Sequence, residues 1–325
     1  MASARGDVEI GVLVYEGAQL AAVHGLVDLF ATATRMSAGT KRPPLSARIL
    51  QVEGARVPKE WSLKGPSAFS AIIVPPSLGA ATDFSRMTAL GAWLAARHRE
   101  GATLCSVCAG AFLLAEAGLL SERPATTHWA LRARFSERFP DVRLDTQKIL
   151  VDDGDVVTAG GMMAWIDLGL CLIGRYLGPS AVLSTARYWV IDPRGREQRF
   201  YDSFAPALTH GDESIVRVQQ WLHGKRAEKI DVAQMARKAR LSERTFLRRF
   251  RRATGHPPSE YLQLLRVERA RDLLERSADS FDEIAWRVGY TDSGAFRRVF
   301  SKIMGLPPGE YRRRFGLGRA PRART

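Results

Sequence analysis

The first two thirds of the chain alternate short apolar runs with stretches whose apolar residues recur every three to four positions. The runs VEIGVLVY (8–15), ARILQV (47–52), SAIIVPP (70–76), ATLCSVC (102–108) and DVVTAG (155–160) have the length and composition of buried strands. Between them, LAAVHGLVDLFATATRM (20–36), MTALGAWLAARHRE (87–100), AGAFLLAEAGLL (109–120) and MMAWIDLGLCLIGRYLG (162–178) carry a helical period. This alternation predicts a layered α/β sheet of parallel strands, with ligands bound beyond the carboxyl ends of those strands. Cys108 falls at such an end. From about residue 191 the pattern changes: IDPRGREQRFYDSFAPALTHGD (191–212) has no sustained period and reads as a connector. Beyond it the pattern is helical, and the tail GLGRAPRART (316–325) reads as disordered.

The helical part contains a repeat. Phe246, Phe250, Gly255, Pro257, Pro258, Glu260 and Tyr261 recur fifty positions later as Phe296, Phe300, Gly305, Pro307, Pro308, Glu310 and Tyr311. Each copy reads as a short helix, a turn, and a second helix opened by a polar cap, Ser242 or Asp292. Ala236 and Ala285 supply the small residue needed where two helices cross. The phenylalanine pairs lie at i,i+4 on one face, and arginines occupy other faces. Two helix-turn-helix units follow, each with a second helix able to enter the major groove.

Charge separates the two parts. Residues 1–213 balance 22 basic against 22 acidic side chains, whereas residues 214–325 carry 26 against 12, so the net charge of +14 resides in the last 112 residues. A basic segment beside a neutral one suits a polyanion-binding module attached to something else. The length fits two domains, no apolar run is long enough for a membrane helix, and the start lacks a secretory pattern. Three cysteines make no disulfide framework, so a cytoplasmic location is expected.

On these residues, the segment from Gly211 to Phe315 resembles the AraC/XylS DNA-binding domain, with SEYLQLLRVERARDLLERS (259–277) as the helix joining its two units. The resemblance implies an all-α domain whose two recognition helices read successive major grooves of double-stranded promoter DNA. Arg244, Thr245, Arg248, Ser293, Gly294 and Arg297 are then the residues at or near base edges. Arg249, Arg251, Arg252, Arg298 and Lys302 are phosphate-contacting or structural.

In the neutral part, LCSVCAGAFLL (104–114) presents a C-x-x-C pair that admits several chemistries. A thioredoxin-like dithiol is disfavoured because the pair ends a strand deep in the chain, with Ser106 and Val107 between the cysteines. Zinc requires further ligands, and no second C-x-x-C or paired histidine motif completes a site, so no metal and no cofactor is expected. A nucleophile elbow fits better: Cys108 would stand at a tight strand-to-helix turn, where the helix dipole lowers a thiol pKa. His128, in ATTHWA (125–130), is its candidate base or hydrogen-bond partner. His128 and Trp129 could equally serve only to pack. The remaining histidines (24, 98, 210, 223 and 256) are expected to be structural or on the surface.

These elements, with VLVYEGAQ, IIVPPSLGA and the THW motif, resemble the ThiJ/PfpI branch of the class I glutamine amidotransferase-like superfamily from about Val8 to Leu177. With the AraC/XylS segment, TAGGMMAWIDLGL (158–170) and the DPRGREQRFY connector, the whole chain resembles the GlxA-type transcriptional regulators. A flavodoxin-like domain at 6–190, a connector at 191–210, a DNA-binding domain at 211–316 and a basic tail at 317–325 are expected. The chain departs from the enzymes of the superfamily where they place an acid, near Ala22 or at Ala130, and Pro76 removes one possible oxyanion donor. Asp28 and Glu116, the nearest acids in sequence, are expected to face solvent or a helix partner.

Catalysis is therefore not expected. The implied role is a ligand pocket of Ser77, Cys108, Ala109, His128, Trp129, Gly161 and Met162 on an enzyme scaffold, with cysteine-dependent amidase or deglycase activity at Cys108 as the alternative. The resemblance further implies an activator that senses a small effector, such as an amine or amino-acid derivative. It would dimerise through its N-terminal domain and work with RNA polymerase, away from any membrane.

Overall fold

The computed structural model describes residues 7–52, 69–79, 83–193, 196–225 and 230–317. The chain divides into two compact units, Met1–Gln198 and Arg199–Thr325.

The N-terminal unit opens with β1 (Val8–Val14), α1 (Leu20–Met36), β2 (Leu45–Gln51), β3 (Ala71–Val74), α2 (Thr88–Arg99), β4 (Thr103–Val107) and α3 (Gly110–Glu116). It continues through β5 (Pro124–Ala125), α4 (Arg132–Arg138), β6 (Arg143–Leu144), β7 (Leu150–Asp152), β8 (Val156–Ala159), α5 (Trp165–Leu177) and α6 (Pro179–Trp189). The main sheet runs β2-β1-β3-β4-β8-β7, and its first five strands are parallel. This is the strand order of flavodoxin-like sheets, with the switch point between β1 and β3.

Strand periodicity builds two apolar layers, because successive side chains point to opposite faces. Ile10, Val12, Ile73, Cys105, Val107, Val157 and Ala159 face α1 and α5. Leu13, Ile72, Val74, Leu104 and Val156 face α2, α3 and α4. Both faces are covered, which is why these strands read as continuous apolar runs.

Two elements differ from the sequence pattern. The edge strand β7 is antiparallel to β8, joined through a turn in which Gly154 (φ 87°) donates its N–H to Asp152 Oδ1. The Asp-Asp-Gly-Asp run carries that hairpin signal, but β7 is too short to register as a period. The helix α6, with a proline at its first position, follows α5 directly in a stretch to which the apolar pattern assigns no element.

In the C-terminal unit, α7 (Glu213–Lys225), α8 (Val232–Ala239), α9 (Glu243–Thr254), α10 (Pro258–Arg276), α11 (Phe281–Arg287), α12 (Ser293–Met304) and α13 (Pro308–Phe315) form two apolar clusters. The fifty-residue repeat has a structural counterpart in each. Phe246 and Phe250 fill one cluster, Phe296 and Phe300 the other, and all four are fully buried. Ala236 and Ala285 sit buried in α8 and α11. Ser242 and Asp292 cap α9 and α12 by accepting from Thr245 N and Ala295 N, and Gly255 and Gly305 end those helices in the left-handed region. The long α10 contributes Tyr261, Leu262 and Leu265 to one cluster and Val267, Ala270 and Leu274 to the other.

The stretch 191–210, expected to be a connector, is divided at the unit boundary. A short 3-10 turn spans Gln198–Phe200, and the following residues are bonded to the helical unit: Asp202 O accepts from Arg271 Nη1 (2.6 Å) and Phe204 N donates to Glu268 (3.2 Å). The basic tail beyond residue 317 lies outside the described residues.

The tightest backbone approach in the N-terminal unit is at Gly110, where a Cβ would lie 2.6 Å from Val74 O and 3.1 Å from Pro75 O. Neither carbonyl can withdraw, since β3 is bonded on both edges. Gly110→Ala should destabilise the fold by about 1–3 kcal/mol, read as a lower urea midpoint with an unchanged slope.

Candidate functional site

The elbow is built as the spacing predicts. Cys108 immediately follows β4 with φ 55°, a left-handed conformation that a non-glycine residue adopts only when its surroundings impose it. Cys108 N donates to Ala159 O (2.7 Å) and Cys108 O accepts from Thr127 Oγ1 (2.8 Å), which ties the turn to β8 and to the THW loop. Sγ lies 3.5 Å from Met162 Sδ.

The loops after β1 and β3 close around the same strand ends. Ser77 is buried, pairs with Ala18 in an isolated bridge, and engages Gly79 through its hydroxyl at 3.2 Å. Tyr15 donates its hydroxyl proton to Pro75 O (2.6 Å).

Together these segments frame a cavity of about 250 Å³. Ser77, Cys108, Ala109, His128 and Met162 line it. Trp129 and Gly161 do not: Trp129 N donates to Gln198 Oε1 (3.0 Å), and its ring packs beside His128 at 5.3 Å. Gly161 (φ 85°) instead turns the chain from β8 towards α5.

One wall was not anticipated from the sequence. Leu131, Arg134 and Arg138 line the cavity from α4 and the residue before it, opposite Phe112 and Glu116 of α3. Their i, i+3, i+7 spacing is a helical face, but α4 is too short and too charged to mark it. Arg134 lies over the Phe112 ring at 5.5 Å, and Arg138 pairs with Glu116 at 2.5 Å. Glu116 therefore meets a helix partner, as expected, yet does so at the cavity wall.

The chemistry of the elbow differs from expectation. Burial pushes the Cys108 thiol up to about 11, and the N–H of Ala109 offsets this only in part. The thiol is 3% exposed. Desolvation of a thiolate in that setting outweighs the dipole of a seven-residue helix. Cys105, fully buried in β4, is pushed up further by the same cause.

His128 Nδ1 accepts from Ala130 N (3.1 Å). A backbone N–H can only donate, so a neutral ring carries its proton on Nε2 and offers a donor there. The two positions where an acid was missing hold a buried Ala22 and an Ala130 on the cavity wall. Among the described residues, no cluster of three or more His, Cys, Asp or Glu side chains could hold a metal ion.

The second site lies on the helical unit. Arg244, Leu247, Arg248, Arg251 and Arg252 share one open surface of α9. From Arg244 to Arg251 this face rises about 10 Å along the helix. Among the described residues these four arginines form no ion pair, whereas Arg249 forks onto Asp212 (2.9 and 2.7 Å). Arg249 thus separates from its exposed neighbours as a side chain that holds α9 to the start of α7.

Thr245 is half-exposed within the cap of α9. In α12, Ser293 and Gly294 open the helix, Arg298 and Lys302 are exposed, and Arg297 rests over Phe281 at 4.9 Å. The exposed Leu247 was missed because the repeat drew attention to polar side chains, but a leucine among arginines suits a thymine methyl.

A domain with a cavity at its strand ends, followed by two helix-turn-helix units with a basic recognition face, is the architecture of a DNA-binding transcription regulator. The DJ-1/PfpI family model matches residues 10–174 and a helix-turn-helix domain model matches residues 235–314. The chain belongs to the DJ-1/PfpI family, joined here to an AraC-type DNA-binding domain.

The HTH-type transcriptional regulator GbdR of Pseudomonas aeruginosa is 27% identical over 270 residues, covering 82% of this chain and 72% of that protein. The HTH-type transcriptional regulator GlxA of Rhizobium meliloti is 28% identical over 242 residues, covering 73% and 74%. A solved AraC family transcriptional regulator from Pseudomonas putida is 20% identical, with a TM-score of 0.46, and aligns over 56% of this chain and 99% of its own.

Alkylation reports the thiol directly. With the Cys108 pKa near 11 instead of 9.0, the thiolate fraction at pH 8 falls roughly a hundredfold. Iodoacetamide labelling of the native chain, followed by peptide mapping, should rise with pH until about 11; a plateau near pH 9 would contradict the burial argument.

Proposed function

We propose that the chain is a one-component transcription regulator whose Cys108 cavity receives a small-molecule effector without covalent chemistry and whose two helix-turn-helix units bind promoter DNA. The observation that carries the DNA reading is the continuous arginine face of α9 on a repeated, capped helix-turn-helix frame. The non-catalytic reading is supported by a buried thiol pushed up to about 11 beside a histidine whose Nδ1 is already an acceptor. The names of the two relatives, both HTH-type transcriptional regulators, agree with the DNA reading.

Arg251, Arg252, Arg298 and Lys302 supply phosphate contacts, while Arg244, Thr245, Leu247, Arg248, Ser293, Gly294 and Arg297 stand at or near base edges. The effector is an amine or amino-acid derivative, the N-terminal domain dimerises, and the protein acts in the cytoplasm as an activator with RNA polymerase. The left-handed elbow favours a second reading, a cysteine-dependent amidase or deglycase. Cys108→Ser separates the two: effector-dependent transcription of the adjacent genes should survive it, and its collapse with effector binding intact would establish covalent chemistry.

The two kinds of arginine are distinguishable on DNA. Arg251→Ala in the full-length chain should weaken promoter binding and flatten the plot of log K against log salt by about one unit. Arg249→Ala should lower Tm through loss of the Asp212 pair and leave that slope unchanged. Fluorescence anisotropy across a salt series and a thermal melt suffice to check both.

A further inference from the structure

The repeat sets the two recognition helices in register. Ser242 and Asp292 cap α9 and α12, so residues at equal distances from each cap occupy equivalent positions. The buried positions agree, phenylalanine for phenylalanine, and the outward ones do not. Arg244 corresponds to Gly294, Thr245 to Ala295 and Leu247 to Arg297, whereas Arg248 corresponds to Arg298. In α9, Arg244 and Arg248 are one turn apart, both exposed, with Leu247 on the same open surface. Among the described residues neither arginine forms an ion pair, so no protein carboxylate competes for its donors. A free guanidinium fork matches O6 and N7 of guanine, and a leucine matches the methyl of thymine.

The same positions of α12 are differently furnished. Gly294 and Ala295 carry no side-chain donor or acceptor. Arg297 is engaged: its guanidinium lies 4.9 Å over the Phe281 ring, and Phe281 stacks on the buried Phe296 at 5.5 Å and 5°. The arginine is thus the outer layer of a stack rooted in the apolar cluster. The first copy lacks this platform, because Val232 follows the cap of α8 where Phe281 follows the cap of α11. Platform and arginine occur together in one copy, valine and leucine in the other. Arg298 lies along the first turn of α12, with Nη1 3.9 Å from the place a Gly294 Cβ would take. A helix start itself favours phosphate, which suits a backbone contact for this side chain.

We propose that sequence discrimination is concentrated in α9, with Arg244 and Arg248 as its specificity-determining residues, while α12 anchors its groove by shape and phosphate contact. The binding site is then uneven: a block defined by guanine and thymine stands beside a block that tolerates many sequences. The second helix still contributes affinity, since Arg298 and Lys302 are exposed cations whose phosphate contacts carry no sequence information. Its small first-turn residues let the helix backbone approach the groove closely without selecting a base. This inference rests on the DNA-binding reading above and divides its labour between the two helices.

Selection by the full-length chain from a pool of randomised DNA duplexes, read by sequencing, tests the division without a known promoter. Arg244→Ala and Arg248→Ala should each erase base preferences that the unsubstituted chain shows, and a wrong base at those positions should weaken its binding about tenfold. Arg297→Ala should leave every preference in place. Arg298→Ala should weaken binding to all sequences alike, with the recovered motif unchanged. Preferences of equal strength lost on substituting Arg297 or Arg298, or none lost on substituting Arg244 and Arg248, would overturn the proposal. A chain that binds the pool in a salt-dependent way but enriches no sequence would overturn it too, leaving DNA binding intact. A chain that fails to bind the pool at all would remove the DNA reading itself, and this inference with it.

Discussion

At the end of β4 the chain must leave a sheet covered on both faces and enter α3, whose residues from Gly110 to Ala115 are all buried, with little chain in which to turn. The left-handed backbone at Cys108 accomplishes this. It is tolerated because the surroundings fix it twice, through Ala159 O on one side and Thr127 Oγ1 on the other. Gly110 then lets α3 start directly beneath the end of β3. The cavity, the THW loop and the wall formed by α4 are all arranged around that turn. The same burial that holds the elbow in place also pushes its thiol pKa up, so the turn of a nucleophile elbow is kept where the thiolate is disfavoured.

The helical unit solves a different problem, that of stabilising short helices which cannot bury enough surface alone. Each recognition helix is stopped by a left-handed glycine and started by a polar cap, and each first helix carries a capping box, Asp231 with Gln234 and Ser280 with Glu283. The buried tyrosines of the repeat each find a partner: Tyr261 accepts from Gln219 Nε2 (3.1 Å), and Tyr311 accepts from Arg271 Nε (2.9 Å) while donating to Glu275 (2.6 Å). With these needs met internally, the arginines of α9 are left to face outward.

Much of this was legible in the sequence because it depends on local periodicity. The five parallel strands, α1 and the two capped recognition helices follow from spacing, and the repeat doubled the signal for the last two. What escaped was set by partners distant in sequence. Nothing in the segment around Arg249 distinguishes it from Arg248, since Asp212, 37 residues earlier, makes the difference. The α4 wall of the cavity is a helical face seven residues long, below the length at which a period is readable. The pKa of Cys108 was misjudged for a related reason: a dipole is visible in a motif, whereas desolvation is a property of everything packed around it.

Gln198 belongs to the same class of features, since its partners lie about 50 to 70 residues earlier in the chain. Charge, proline and glycine suggest a tether, and composition alone favours that reading. Yet a buried amide that serves four backbone or hydroxyl partners costs free energy if any is lost, because each would be stranded away from water. Such a residue cannot belong to a freely moving segment.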